Sequence, residues 1–175
     1  MAHPRSGKAG SAVALARWAC AVLLAFTTAA TARSFEGRVT HVTDGDTVWV
    51  RPAEGGPAVQ VRLQGIDAPE ICQPFGGQAR DALAARLLHR EVEIDVRARD
   101  AYERTLARVG HQGQDVGSWL VAGGWAWSSG FRHRAGPYAL EQRTARGERR
   151  GLWADDAPLD PRRFRKQHGS CHAAP

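Results

Sequence analysis

Cysteine, lysine and tyrosine are scarce in this sequence: three Cys, two Tyr, and lysine only at positions 8 and 166 of 175 residues. Two of the three cysteines, Cys72 and Cys171, lie beyond the first 32 residues. That excludes a cysteine-built metal centre and a disulfide-dense scaffold, and leaves room for one bridge. No membrane span is expected either. The apolar stretch Trp18–Ala30 has 13 residues, short of the roughly 20 a spanning helix needs. His41, His89, His111 and His133 form no pair at metal-ligand spacing, and no internal repeat is present.

What is there at the start is an export signal. Arg5, Lys8 and Arg17 precede that apolar stretch, and "ATA" ends at Ala32. This is the basic, apolar and small-residue order of a cleaved leader, which predicts a secreted or periplasmic protein cut near Ala32. The whole chain carries a formal charge of +6. The leader holds three of the 24 Lys and Arg and none of the 18 Asp and Glu, so the remainder is +3. The cations left are almost all arginine, the better bidentate binder of phosphate, and an anionic partner fits. An oxidising compartment would pair Cys72 with Cys171.

Beyond the leader, "SFEGRVTHV", "DTVWVRP" and "AVQVRLQGI" read as three strands. Asp44 and Gly45 are expected to make the first turn, with glycine at a positive φ, and Asp46 to open the second strand. Residues 75–90 have apolar positions Ala79, Leu83, Leu87 and Leu88 at helical spacing. "EVEIDVRA" alternates strictly and predicts a half-buried strand, followed by a fifth in "RTLARVGHQG". "DVGSWLVAGGW" reads as a short helix capped by Asp115, and 137–153 as a final helix weakened at Gly147. The expected domains are a leader over 1–32, one α+β, mainly β domain over 33–155, and a basic, proline-containing tail over 156–175, irregular unless Cys171 pins it. Five strands of this length suit a Greek-key barrel of the OB type with about three helices.

Three stretches carry chemistry. Asp46 is one aspartate more than the turn needs. "VRLQGIDAPE" sets Asp67 and Glu70 on a corner stiffened by Pro69, with Arg62 on the strand leading in. "DAYERTLARV" places Asp100, Tyr102 and Arg104 at the entrance of the fifth strand.

Taken together, "TDGDTVWV", "VRLQGIDAPE", "DAYERTLARV", "GWAW" and "RGLW" resemble the staphylococcal nuclease (thermonuclease) family, from about Phe35 to Trp153. The resemblance implies an OB barrel and Ca²⁺-dependent hydrolysis of phosphodiester bonds in DNA and RNA, with a monomer as the acting species and no membrane association once the leader is gone. Carried over position by position, it makes Asp46, Asp67 and the Ala68 carbonyl calcium ligands. It makes Glu70 the acid that acts on the attacking water, Arg62 and Arg104 the phosphate-binding arginines, and places Tyr102 beside the bound nucleotide.

Two departures from the family bear on efficiency. Glu103 stands where glycine is frequent, and an acid there is placed to hold Arg104 back. The stretch after Trp127 lacks the stacking tyrosines of some members, leaving Phe131 and Arg132 as substitutes. Trp125, Trp127 and Trp153 are expected as core anchors. The competing reading is a catalytically silent OB-fold module that binds nucleic acid or protein. Retention of all five polar positions, Asp46, Arg62, Asp67, Glu70 and Arg104, speaks against it.

Overall fold

A computed structural model describes residue 3 and residues 34–130, 135–169 and 171. The expected leader and its expected cleavage site, and Phe131, Arg132 and His133, therefore lie outside the described residues. No helix among the described residues is long and apolar enough to cross a membrane.

The first strand, β1 (Ser34–Asp44), is long enough to serve two neighbours. It pairs antiparallel with β2 (Thr47–Pro52) through its second half and with β5 (Glu91–Arg99) through its first. Register shifts between Val39 and His41 and between Val42 and Asp44 bend it, as bulges do, so one strand can turn a barrel corner. Next, β2 pairs with β3 (Val59–Leu63), and β5 with β6 (Thr105–His111). A parallel contact between β3 and β6 closes five strands into a barrel. Val39, Val48, Val50, Val61, Ile94 and Val109 point inward, the alternate residues of their strands.

The third strand is shorter than its pattern. It stops at Leu63, turns at Gln64 and Gly65, and resumes as β4 (Ile66–Asp67). Gly65 takes a φ of 83° there, a conformation glycine adopts without penalty. Ile66 therefore does not continue the face of Arg62; β4 pairs instead with β8 (Trp127–Ser128). A two-residue β7 (Gln114–Asp115) turns back to pair antiparallel with the end of β6.

Helix α1 (Gly76–Leu87) buries Ala79, Leu83 and Leu87, one face at intervals of four, while Leu88 falls beyond its end and is exposed. Helix α2 (Val116–Ala122) is capped by Asp115, whose carboxylate accepts the Ser118 amide at 3.0 Å. The expected helix over 137–153 is two pieces. α3 (Ala139–Gly147) ends at the glycine, and the chain re-enters as a 3₁₀ turn, Gly151–Ala154. The break lets Leu152 and Trp153 fold back over Ala145 to form a second small core, with Phe75 and Trp127 against it. Trp127 and Trp153 meet edge to face at 4.3 Å, and Trp125 packs on the main core, so the tryptophans act as anchors.

Residues 156–169 of the tail include a helix. Asp160 caps and Pro161 opens α4 (Pro161–His168), the helix-start pair that "LDPRRF" carries. Cys171 just beyond it is bridged to Cys72, with Cα atoms 5.7 Å apart.

Candidate functional site

The turn between β1 and β2 consists of Gly45 and Asp46, with Asp44 closing β1 opposite Thr47. This corrects the expected turn by one residue, and it corrects the reason for its glycine. Gly45 is not among the residues at positive φ. A Cβ there would lie 2.6 Å from the Ala68 Cβ and 2.9 Å from the Ala79 Cβ. Glycine is needed for close approach, which lets the turn, the 67–70 corner and α1 touch.

That approach buries Asp46. Its Oδ2 accepts the Ala68 amide at 2.8 Å, and its Oδ1 accepts the Thr47 hydroxyl at 3.2 Å. Burial pushes the Asp46 carboxyl well above its ordinary range. Arg62 opposes that shift, while Asp44 and Asp67 add to it. Asp46 is thus a group whose charge calls for a neighbouring cation.

Arg62 supplies one. Its Nη2 lies 2.9 Å from Asp46 Oδ2 and 3.2 Å from Asp67 Oδ1, so one nitrogen joins carboxylates 21 residues apart in sequence. Its Nη1 donates to the carbonyls of Leu63 at 2.9 Å and Ile66 at 3.2 Å. Both acceptors exist because β3 breaks between them. Glu70 follows on the same corner, its amide donating to Gln73 Oε1 at 3.2 Å. Ala68 is buried between the two aspartates' surroundings and α1, so its backbone is fixed.

Arg104 stands immediately before β6. Its Nε donates to Asp100 Oδ2 at 2.7 Å, and its amide to Asp100 Oδ1 at 3.0 Å. Burial would raise the Asp100 carboxyl. The hydrogen bonds from Arg104 and from the Tyr102 amide outweigh it and hold the group below its ordinary value. With Nε engaged, neither terminal amino group of Arg104 has a partner among the described residues. Glu103 does not hold Arg104 back. It reaches Arg99 at 4.0 Å, and its own φ of 60° is the left-handed geometry that explains why glycine suits that position. Tyr102 is 80% exposed, with the Arg104 guanidinium 5.4 Å from its ring centre. Arg62 and Arg104 line one cleft of about 660 Å³, together with Gln64, Gly65, Arg108 and Pro137.

One site residue escaped the sequence reading. Arg165, on α4, spreads a fork over Asp67, Nη1 to Oδ1 at 3.1 Å and Nη2 to Oδ2 at 2.9 Å. The same Nη1 donates to Glu70 Oε1 at 2.8 Å. The hydrogen bonds to Asp67 raise its already high pKa, so it is always a cation here. The signal that pointed to it was the Asp160-Pro161 helix start ahead of a basic run ending near Cys171.

No group of three or more His, Cys, Asp or Glu among the described residues is arranged to hold a metal ion. The donor set that fits a metal is narrower. It comprises two convergent carboxylates, Asp46 and Asp67, and the backbone carbonyl of Ala68 beside them. These are hard oxygen donors suited to Ca²⁺ rather than to a soft metal, with the remaining positions open to water and substrate.

Known proteins similar to this chain include several nucleases. A family model described as staphylococcal nuclease homologue matches residues 60–155. An uncharacterized endonuclease of Haemophilus influenzae is 35% identical over 130 residues, covering 74% of this chain and 72% of that one. A micrococcal nuclease of Shigella flexneri is 32% identical over 169 residues, covering 89% and 95%. Protein ParB of Escherichia coli is 38% identical over 142 residues, covering 75% and 79%.

Proposed function

Because the chain belongs to the staphylococcal nuclease family and is a nuclease, we propose that it hydrolyses phosphodiester bonds of both DNA and RNA, with little sequence preference, in a Ca²⁺-dependent reaction outside the cytosol. The observation that carries the proposal is the convergence of Asp46 and Asp67 on the Arg62 Nη2, with Glu70 on the same corner.

Each residue has a task that its surroundings support. Asp46, Asp67 and the Ala68 carbonyl would hold Ca²⁺. When bound, the ion polarises the phosphoryl oxygens and lowers the pKa of a water beside it. Glu70 takes the proton of the attacking water, a role open to a carboxylate held at the rim of the site. Arg104 presents its two terminal amino groups to the phosphate, since Asp100 occupies only its Nε and fixes the direction of the fork. Arg62 neutralises charge on the phosphate oxygen nearest the carboxylates. Removing either arginine is expected to cost about 10²-fold in rate. Tyr102, exposed beside the Arg104 guanidinium, offers a ring for a base to stack on, worth about 1–3 kcal/mol without reading sequence. The leader and the Cys72–Cys171 bridge both support an exported, oxidised protein.

The test is cleavage of single-stranded DNA, duplex DNA and RNA by the purified chain, in Ca²⁺ and in excess chelator. Cleavage of all three that stops with chelator and is lost in Glu70→Gln, with substrate binding retained, supports the proposal. Activity indifferent to chelator removes the metal, and binding without cleavage under any divalent ion makes the chain a binding module.

A further inference from the structure

Arg165 lies outside the matched segment, 95 residues from Glu70 and 98 from Asp67, yet it engages both. Two ties carry it there. Ahead of α4, the Gln73 amide side chain donates to the Leu159 carbonyl at 2.6 Å. Behind α4, the Cys72–Cys171 bridge closes the path. Both anchors, Cys72 and Gln73, sit on the loop that carries Glu70. The helix itself has eight residues and buries only Pro161 and Phe164, too little to hold such a short segment in place unaided.

The two carboxylates depend on Arg165 unequally. Asp67 is held independently by Arg62 at 3.2 Å and by the pairing of β4 with β8. The Glu70 side chain has Arg165 as its one hydrogen-bond or ion-pair partner among the described residues.

We propose that Arg165 is a tethered counter-cation of Asp67 and Glu70, and that it sets the affinity of the site for its divalent cation. This rests on the metal-binding reading above. A guanidinium that takes both oxygens of Asp67 occupies the carboxylate a divalent ion must share, and its charge repels that ion at close range. At separations of a few ångströms such repulsion remains substantial even at the effective dielectric of a partly buried site. The fork also offsets the charge of Asp67 and Glu70 before any metal arrives, so their pull on a cation is reduced. The tether keeps the competitor at high effective concentration.

Isothermal titration of Ca²⁺ into the whole mature protein reads this without reference to turnover. Arg165→Gln is expected to bind Ca²⁺ at least about tenfold more tightly than the natural chain. Arg163→Gln removes the same charge from the exposed side of the same helix and is expected to change Kd by less than about twofold, the residual of screened surface charge. Tightening is a direction that damage to the site would not produce. In a Cys72→Ser/Cys171→Ser background the effect of Arg165→Gln is expected to shrink, as it must if bridge and arginine act through one contact. An unchanged or weakened Kd in Arg165→Gln overturns the inference. An undiminished effect without the bridge overturns the role of the tether. Failure of both the natural chain and Arg165→Gln to bind any divalent cation overturns the metal reading itself.

Discussion

The amide of Ala68 donates to Oδ2 of Asp46 at 2.8 Å, joining the β1–β2 turn to a corner 22 residues later. This bond makes a single unit of the two stretches that carry the carboxylates. Arg62 Nη2 reaches the same oxygen at 2.9 Å, so the carboxylate is fixed by a backbone donor and a guanidinium together. A side chain fixed this way does not reorganise when a substrate arrives, the condition for electrostatic stabilisation to act on the transition state.

Gly45 permits that approach, and Gly45→Ala is expected to destroy it. The added Cβ would stand 2.6 Å and 2.9 Å from two other Cβ atoms, neither on a flexible side chain. The strain should cost about 1–3 kcal/mol. Calorimetry should show a lowered Tm, and kcat/KM should fall with it because the displaced atoms include the neighbour of Asp67. A normal Tm would show that the turn yields and that the close approach is not needed.

Asp100 should contribute stability that depends on pH. Its carboxyl is held below its ordinary value in the folded state, so its contribution is present above the unfolded value of about 3.9 and is lost as pH falls through the folded one. Asp100→Asn keeps an acceptor for the two amides but loses the charge-assisted bond to Arg104, at about 1–2 kcal/mol near neutrality. Chemical denaturation at several pH values should show the difference closing below about pH 4. At neutral pH the freed Arg104 should lower kcat/KM by about ten- to a hundredfold.

Glu103→Gly should stabilise the protein without harming catalysis. Glu103 is at φ 60°, where glycine avoids a steric cost of about 1–2 kcal/mol. Part of that gain is offset by the greater freedom of glycine in the unfolded chain, leaving about 0.5–1 kcal/mol. The lost contact with Arg99 at 4.0 Å joins two exposed side chains and contributes little. Thermal unfolding should show a small rise in Tm. Because Glu103 does not touch Arg104, kcat should stay within about twofold and KM should fall slightly with the removed negative charge.

Much of this arrangement is legible in the chain because it is local. The alternation of Val92 and Ile94, the spacing of Ala79, Leu83 and Leu87, and the Asp115 cap are each set within a few residues. The five polar positions stood out because acids and arginines at strand ends have no packing role to explain them. Where the reading went astray, the cause was contact with something distant. Gly45 was assigned a turn conformation when its constraint is the proximity of Ala68 and Ala79. The third strand was run through to Ile66, although its pairing with β6 ends at Leu63 and β8 takes over. The last helix was left whole, although Leu152 and Trp153 gain more by folding back on Ala145.

The sequence by itself determined most of the elements, the barrel class and the charged residues that meet at the candidate site, because period, propensity and charge are properties of short stretches. Tertiary structure alone decided how those residues are connected. It put one nitrogen of Arg62 between Asp46 and Asp67, turned Arg104 onto Asp100 rather than Glu103, and brought Arg165 across 98 residues to Asp67. The reason is that "PRRFRK" has the same local pattern whether its arginines face water or a carboxylate. Only the barrel corner, the capped helix and the bridge to Cys72 select which of them reaches the site.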